Sequence, residues 1–304
     1  MIKKLARYCI IGITFFFIFT NFKANWHNIN EIPLNSQVFY YLISSLIITS
    51  LAHIWSGYVW TFILKIFKQY LPLDEALKIY LVTNLYKYLP GNVGHLYARI
   101  KAVNRRGVPI EIASLSVLLE PLLMAASALF ITILSGQLGL IKTGSINLSH
   151  FLFLGIILMS CHPIILNGVI RGFRRLQKKE LDGTSIIRDY PFLPLGGEII
   201  FVLLRGVGFL MIWQGFSNSN TAGLLSLLSA FSFAWLLGLI VPGAPGGLGV
   251  FEATMIALLD KQEFFPGTVL LSVGFYRVIS ILAEVLGAGV GVLWGKCAPD
   301  AKWP

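Results

Sequence analysis

The chain has 304 residues, 56% hydrophobic and 12% charged, with a mean hydropathy of +0.76 and a formal net charge of +10. A soluble domain carries about a quarter charged residues, and a membrane β-barrel shows alternating rather than continuous apolar runs, so both classes are excluded. The positive charge is not a nucleic-acid signature, because most Lys and Arg fall in short loops between apolar runs, the positive-inside pattern.

The chain opens on Lys3, Lys4 and Arg7, followed by an apolar run from Cys9. No small-x-small cleavage site precedes Asn25-Trp26, so residues 8–22 are read as an uncleaved first span rather than a leader. A polar segment, 23–37, lies outside, and a second span over 38–63 returns to the cytoplasm at Lys65 and Lys68. Asp74 is a candidate N-cap for a helix that runs to Leu89 and stops at Pro90-Gly91. That helix is shorter than the roughly 20 residues a crossing needs. The basic cluster Arg99, Lys101, Arg105, Arg106 follows it, so both of its flanks belong on the cytoplasmic side. A re-entrant hairpin turning at 90–94 satisfies both. Irregular backbone at that depth requires protein or a water-filled cavity around it.

A third span is expected over 112–134 and a fourth over 148–170. Arg171, Arg174, Arg175, Lys178, Lys179 and Arg188 then form a cytoplasmic loop at the midpoint of the chain. A fifth span covers 195–216 and reaches the outside at Ser217-Asn218-Ser219-Asn220. Next come 223–241, a second Gly/Pro-rich break, and 250–259; the last span is 267–294. With both termini cytoplasmic, the second hairpin opens to the exterior. Of the 24 Lys and Arg, 19 then lie on the cytoplasmic side, three outside (Lys23, Lys142, Lys261) and two inside spans (Arg205, Arg277), which supports this orientation.

The predicted architecture is therefore an all-α polytopic membrane protein: one domain, 1–304, of six full spans plus two re-entrant helical hairpins arranged as an inverted repeat. The halves are 38–170, with a motif at 88–99, and 195–295, with a motif at 242–253. Eight plain transmembrane helices are the alternative, since 223–241 is long enough to cross outright.

The motifs carry the functional signal. Pro90-Gly91-x-x-Gly94 aligns with Pro245-Gly246-x-x-Gly249 about 155 residues later, and each is followed by a charged residue, Arg99 and Glu252. Paired Gly/Pro-broken segments in two halves point to a transporter's midplane binding site. The helix beginning at Gly94-His95 offers free N–H groups to an anion. His95 and Arg99 share one face of it, and Arg99 suits a phosphate bidentately. Tyr80, Asn84 and Lys87 form a polar stripe on the preceding helix. For Lys101, Arg105 and Arg106 a topological role is the better reading.

Ionisable residues inside spans cost about 2.5–3.5 kcal/mol each and need partners. Glu120, Arg205, Glu252, Arg277 and Glu284 are of this kind. Glu120 falls 30 residues after Pro90 and Arg277 32 after Pro245, which suggests an ion pair between the repeats. His53 and His162 are expected to hydrogen-bond between helices. Gly287, Gly289 and Gly291 suggest close helix packing. The substrate-binding set is thus Lys87, Pro90, Gly91, Gly94, His95, Arg99, Glu120, Arg205, Gly246, Gly247, Gly249, Glu252 and Arg277. No catalytic or metal-binding residue, cofactor or Walker motif is expected. Cys9, Cys161 and Cys297 stand too far apart to suggest a metal site.

Leu89-Pro90-Gly91-x-x-Gly94, Ala98-Arg99, Arg105-Arg106-Gly107-x-Pro109, Glu120, and Pro245-Gly246-Gly247-Leu248-Gly249-x-x-Glu252-Ala253 together resemble the lysylphosphatidylglycerol synthase transmembrane-region family, the flippase-like domain proteins. The resemblance covers about residues 5–296; Pro121 stands where the family typically has an arginine. In two-domain members the membrane part is linked to moving an aminoacylated phospholipid between leaflets, and a soluble domain makes that lipid. This chain ends soon after its last span, so the resemblance implies a stand-alone, non-enzymatic member. Its implied partner is a membrane lipid, either a phospholipid or a polyprenyl phosphate, with partner proteins of envelope or glycan biosynthesis beside it. A lipid-glycan enzyme and a scaffold are the alternatives. A prokaryotic inner membrane is the expected location.

Overall fold

The structure, a computed structural model, describes residues 35–88, 93–138, 147–176, 187–217, 223–241, 247, 249–259 and 263–296. The expected first span at 8–22 and the motif residues Pro90, Gly91 and Gly246 lie outside the described residues.

Every element among the described residues is helical. In chain order they are α1 (Ser36–Ile66), α2 (Leu73–Asn84), a 3-10 turn (Leu85–Tyr88), α3 (Gly94–Asn104), α4 (Ile110–Leu138), α5 (Leu148–Ser160), α6 (Pro163–Leu176), α7 (Phe192–Phe216), α8 (Leu224–Ile240), α9 (Val250–Leu258) and α10 (Pro266–Lys296). Four are long and apolar enough to cross a membrane: α1, α4, α7 and α10. The α5–α6 pair makes a fifth if counted as one span. The chain is an all-α polytopic membrane protein. Its outer faces carry exposed apolar side chains such as Ile43, Ile47, Leu286 and Leu293, as a lipid-facing surface requires.

Local chemistry explains several helix ends. Asn35 caps α1 by accepting the Val38 N–H at 3.0 Å. The expected cap at Asp74 is displaced: α2 starts at Leu73, after Pro72, with no side-chain cap, and Asp74 and Glu75 lie in its first turn. There their charge still favours the helix N-terminus. The fourth span is not the continuous run expected over 148–170. It bends by 54° between α5 and α6. Pro163 has no N–H to give the Met159 carbonyl, which instead accepts the His162 N–H at 3.0 Å. Beyond the bend, α6 buries Leu166 and Ile170 and exposes Arg171 and Arg175. At 17 residues, α8 is about 25 Å long, short of the roughly 30 Å hydrocarbon core.

The helix pairings follow a rule. The longest contact is α1 along α7. α2 packs on α1 and α10, while α8 packs on α7 and α4. α3 packs on α2 and α4, while α9 packs on α8 and α10. α4 meets α1 and α7, and α10 meets both as well. Exchanging α1 with α7, α2 with α8, α3 with α9 and α4 with α10 returns the same set of pairings.

Small residues allow the tightest of these approaches. A Cβ on Gly208 of α7 would fall 2.7 Å from the Thr49 hydroxyl of α1. The Gly208 carbonyl accepts from Ser45 at 2.7 Å, and the Gly197 carbonyl from Trp55 Nε1 at 2.8 Å. On α10, Gly287 and Gly291 lie under Leu81 and Lys78 of α2, whereas Gly289 has open space where a Cβ would be.

Candidate functional site

Three buried charge clusters organise the bundle. The first is built on Arg99, which α3 turns inward and which is 2% exposed. Its Nη1 pairs with Glu120 Oε2 on α4. Its Nη2 donates to Asn84 Oδ1 at 2.6 Å and its Nε to Thr83 Oγ1 at 3.3 Å. The guanidinium lies 4.0 Å from the centre of the Tyr80 ring. Tyr80 in turn donates to Glu120 Oε1 at 2.5 Å, so Ser56, 2.6 Å away, is the donor to the Tyr80 oxygen. The side chain expected to grip a phosphate is engaged by the protein on every arm. The polar stripe of α2 supplies much of that engagement.

The second cluster lies behind the second motif. Arg277 Nε on α10 donates to Glu252 Oε1 on α9 at 2.7 Å, and its Nη2 to the Gly247 carbonyl at 2.8 Å. Glu252 Oε2 accepts the Gly249 N–H at 2.6 Å, the one arm of a capping box open to a glycine N-cap. Gly247 and Gly249 have φ of +72° and +83°, values that favour glycine. A Cβ on Gly247 would lie 2.8 Å from the Gly238 Cα, so the turn rests directly on the α8 backbone.

These two clusters correct the expected pairing of Glu120 with Arg277. Each carboxylate is paired within its own half, because α3 packs on α4 and α9 on α10. The signs are exchanged. The charge after the motif is Arg99 in one half and Glu252 in the other, and the partner on the following long helix is opposite in each.

The third cluster joins the halves. Lys87 Nζ, on the 3-10 turn, is 2.5 Å from Glu284 Oε1 on α10. His53 Nε2 on α1 is 3.3 Å from that oxygen and 2.9 Å from Arg205 Nη1 on α7. Arginine can only donate, so His53 Nε2 accepts from it and the imidazole is neutral. Two cations then face one carboxylate. Arg205, His53 and Glu284 are buried, and the Lys87 side chain is 24% exposed. Arg205 Nε and Glu284 Oε2 have no hydrogen-bond partner among the described residues. Arg205 also lies over the Tyr276 ring, 5.2 Å from its centre. His95, on the first turn of α3, has a buried Nδ1 without a partner among the described residues and feels the charges of Arg99, Lys87 and Glu284. Gly94 opens α3 without a side-chain cap. The region is therefore net positive, and it draws on α1, the 3-10 turn, α7 and α10.

His53 is an interhelical hydrogen bonder, as expected. Glu198 on α7 was missed. It is 0% exposed, next to Gly197, and only a few residues inside the span expected over 195–216. Counting it with the other in-span acids would have found it. Glu75, on the first turn of α2, is paired with Arg106.

The family described as Lysylphosphatidylglycerol synthase TM region matches residues 5–287. No curated protein matches the chain.

Proposed function

The chain belongs to the lysylphosphatidylglycerol synthase transmembrane-region family, and from that premise we propose that it moves a phosphate-bearing lipid between the leaflets of a membrane without chemically altering it. The lipid is a phospholipid or a polyprenyl-phosphate-linked lipid. Its head group sits where the two halves meet, beside Lys87, His95 and Arg205.

One observation carries this reading. Among the described residues, Lys87, Arg205 and the neutral His53 gather about a single carboxylate, Glu284, so positive charge outweighs negative inside a membrane-spanning bundle. An uncompensated charge at that depth is costly, and an anionic head group offsets it. Lys87 is the partly exposed member and the one that meets the incoming phosphate first.

The exchange rule among the helix pairings supports an inverted repeat. Within it, α2–α3 and α8–α9 are the two re-entrant hairpins, and the two halves rock against each other to alternate access. Arg99–Glu120 and Glu252–Arg277 hold each hairpin to its own half during that motion. The basic face of α6, and the 19 of 24 Lys and Arg that this layout gathers on one side, support cytoplasmic termini; the membrane is a prokaryotic inner membrane in this reading.

Leaflet exchange in proteoliposomes tests the reading. Reporter lipids with anionic, zwitterionic and neutral head groups are followed for wild type, Arg205→Gln and Lys87→Met. The expected result is transfer of phosphate-bearing lipids with a net negative head group, reduced at least tenfold in both variants. Folded wild-type protein that transfers none of the reporters removes the proposal.

A further inference from the structure

We propose that Glu198 is a proton-binding site of this protein: it is held here as the neutral acid, and it ties lipid movement to proton movement. The coupling rests on the translocation reading above; the proton site does not.

Glu198 is 0% exposed, and neither of its carboxyl oxygens has a hydrogen-bond partner among the described residues. It sits on the first turns of α7, where Gly197 brings that helix against Val59 and Trp55 of α1. An ionised carboxylate there would lack both solvent and a donor, a state proteins avoid by keeping the proton.

The surrounding charges lead to the same state. α4 brings Glu120, and behind it α3 brings Arg99; these two are the charges that act on Glu198. Tyr80 of α2 also feels Glu198, and its hydroxyl is given to Glu120. α1 contributes His53, whose ring packs on Phe201 and whose Nε2 accepts from Arg205. α8 carries no titratable side chain. On α10, Tyr276 and Glu284 are directed at Arg205, about two turns further along α7. Glu120 and Glu198 thus both lie in the field of one guanidinium, and Arg99 is already paired with Glu120. The group is electrically neutral only with one proton, and Glu198 is the carboxyl without a cation.

A proton held this way is released when Glu198 meets water. The α1–α7 contact is the seam between the two halves, so relative movement of the halves is what would expose it. One proton leaves the carboxyl for water, and one returns from water when the seam closes. No other co-reactant is needed.

Infrared difference spectroscopy on the full chain in nanodiscs tests the site. Wild type should show the carbonyl stretch of a protonated carboxylic acid at neutral pH, and Glu198→Gln should lack it. Glu252→Gln should keep it, because Glu252 is paired with Arg277. Gln has nearly the shape of the neutral acid, so the variant should fold. Should it not, Glu198→Asp must shift the band. A wild type with no acid band, a band that survives Glu198→Gln, or a band unmoved in Glu198→Asp overturns the assignment.

Anionic reporter-lipid exchange under an imposed pH gradient then tests the coupling. Wild type should accelerate severalfold with the gradient. Glu198→Gln should exchange at one rate with or without it. Acceleration that persists in Glu198→Gln refutes coupling through this residue. Absence of all exchange in wild type refutes the translocation reading and the coupling with it, while the acid band still decides the proton site.

Discussion

Lys87 and Glu284 meet across the two halves, Nζ to Oε1 at 2.5 Å, and so connect the turn before the first motif to the last long helix. The two partners are not equivalent. Removing Glu284 takes from Lys87 and Arg205 the carboxylate whose charge acts on both. Removing Lys87 leaves Glu284 still near Arg205. Glu284→Gln should therefore destabilise the protein by about 3–5 kcal/mol, the usual cost of orphaning a buried charge, and Lys87→Met by clearly less. Thermal unfolding in detergent measures the order. Equal losses would mean that the centre carries no surplus positive charge.

Arg99 has a different task from the one its motif position suggests. Its three nitrogens reach Thr83, Asn84 and Glu120 while its plane rests on Tyr80. A lysine supplies the charge but not the fork. Arg99→Lys should thus lose nearly as much stability as Arg99→Met, about 3–5 kcal/mol. The double variant Arg99→Met with Glu120→Gln should lose less than the sum of the singles, because the two groups act as one unit. Additive losses, read from unfolding midpoints, would refute the pairing.

Glu252 makes two contacts of different kinds, a cap on the Gly249 N–H and an ion pair with Arg277. Glu252→Gln keeps an oxygen for the cap and loses the charge; Glu252→Ala loses both. The alanine variant should be less stable by a further ~1 kcal/mol, the typical worth of a cap. If the two variants have the same midpoint, the capping box contributes nothing.

The contact between Gly247 and Gly238 is asymmetric. A Cβ on Gly247 meets the Gly238 Cα at 2.8 Å from a φ of +72°, whereas a Cβ on Gly238 meets the Gly247 Cα at 3.3 Å from ordinary helical backbone. Gly247→Ala combines backbone strain with overpacking, each about 1–3 kcal/mol. Gly238→Ala carries only the second cost. Yield of monodisperse protein after membrane extraction should fall further for Gly247→Ala, and the reverse order would place the strain elsewhere.

Arg106 and Glu75 form a pair nearer the surface, with side chains 32% and 26% exposed. Arg106→Ala should change stability by less than ~1 kcal/mol, within the range of solvent-screened pairs. A larger loss would mark this loop as part of the packed structure rather than a topological anchor.

Much of the protein was legible because membrane chemistry writes itself into sequence. Continuous apolar runs announce helices since lipid offers the backbone no hydrogen bonds. The runs expected over 38–63, 112–134, 195–216 and 267–294 correspond to α1, α4, α7 and α10. Most in-span charges were equally visible, since a charge deep among apolar residues stands out; Glu198, close to the start of its run, did not. The bend at Cys161-His162 was less so. Pro163 was in view, but the surrounding composition is that of an ordinary span.

By itself, then, the sequence determined the class of the protein, the places where its long helices run, and which residues must find partners, because hydropathy and the cost of burying charge are properties of local composition. Only the tertiary structure decided who the partners are. It pairs Arg99 with Glu120 and Arg277 with Glu252 rather than across the repeats, brings His53, Lys87, Arg205 and Glu284 to one point, and leaves the Glu198 carboxyl without a hydrogen-bond partner among the described residues. Those outcomes depend on which helix faces are pressed together and on distances of a few ångströms. Residues far apart in the chain acquire such distances only when the helices pack.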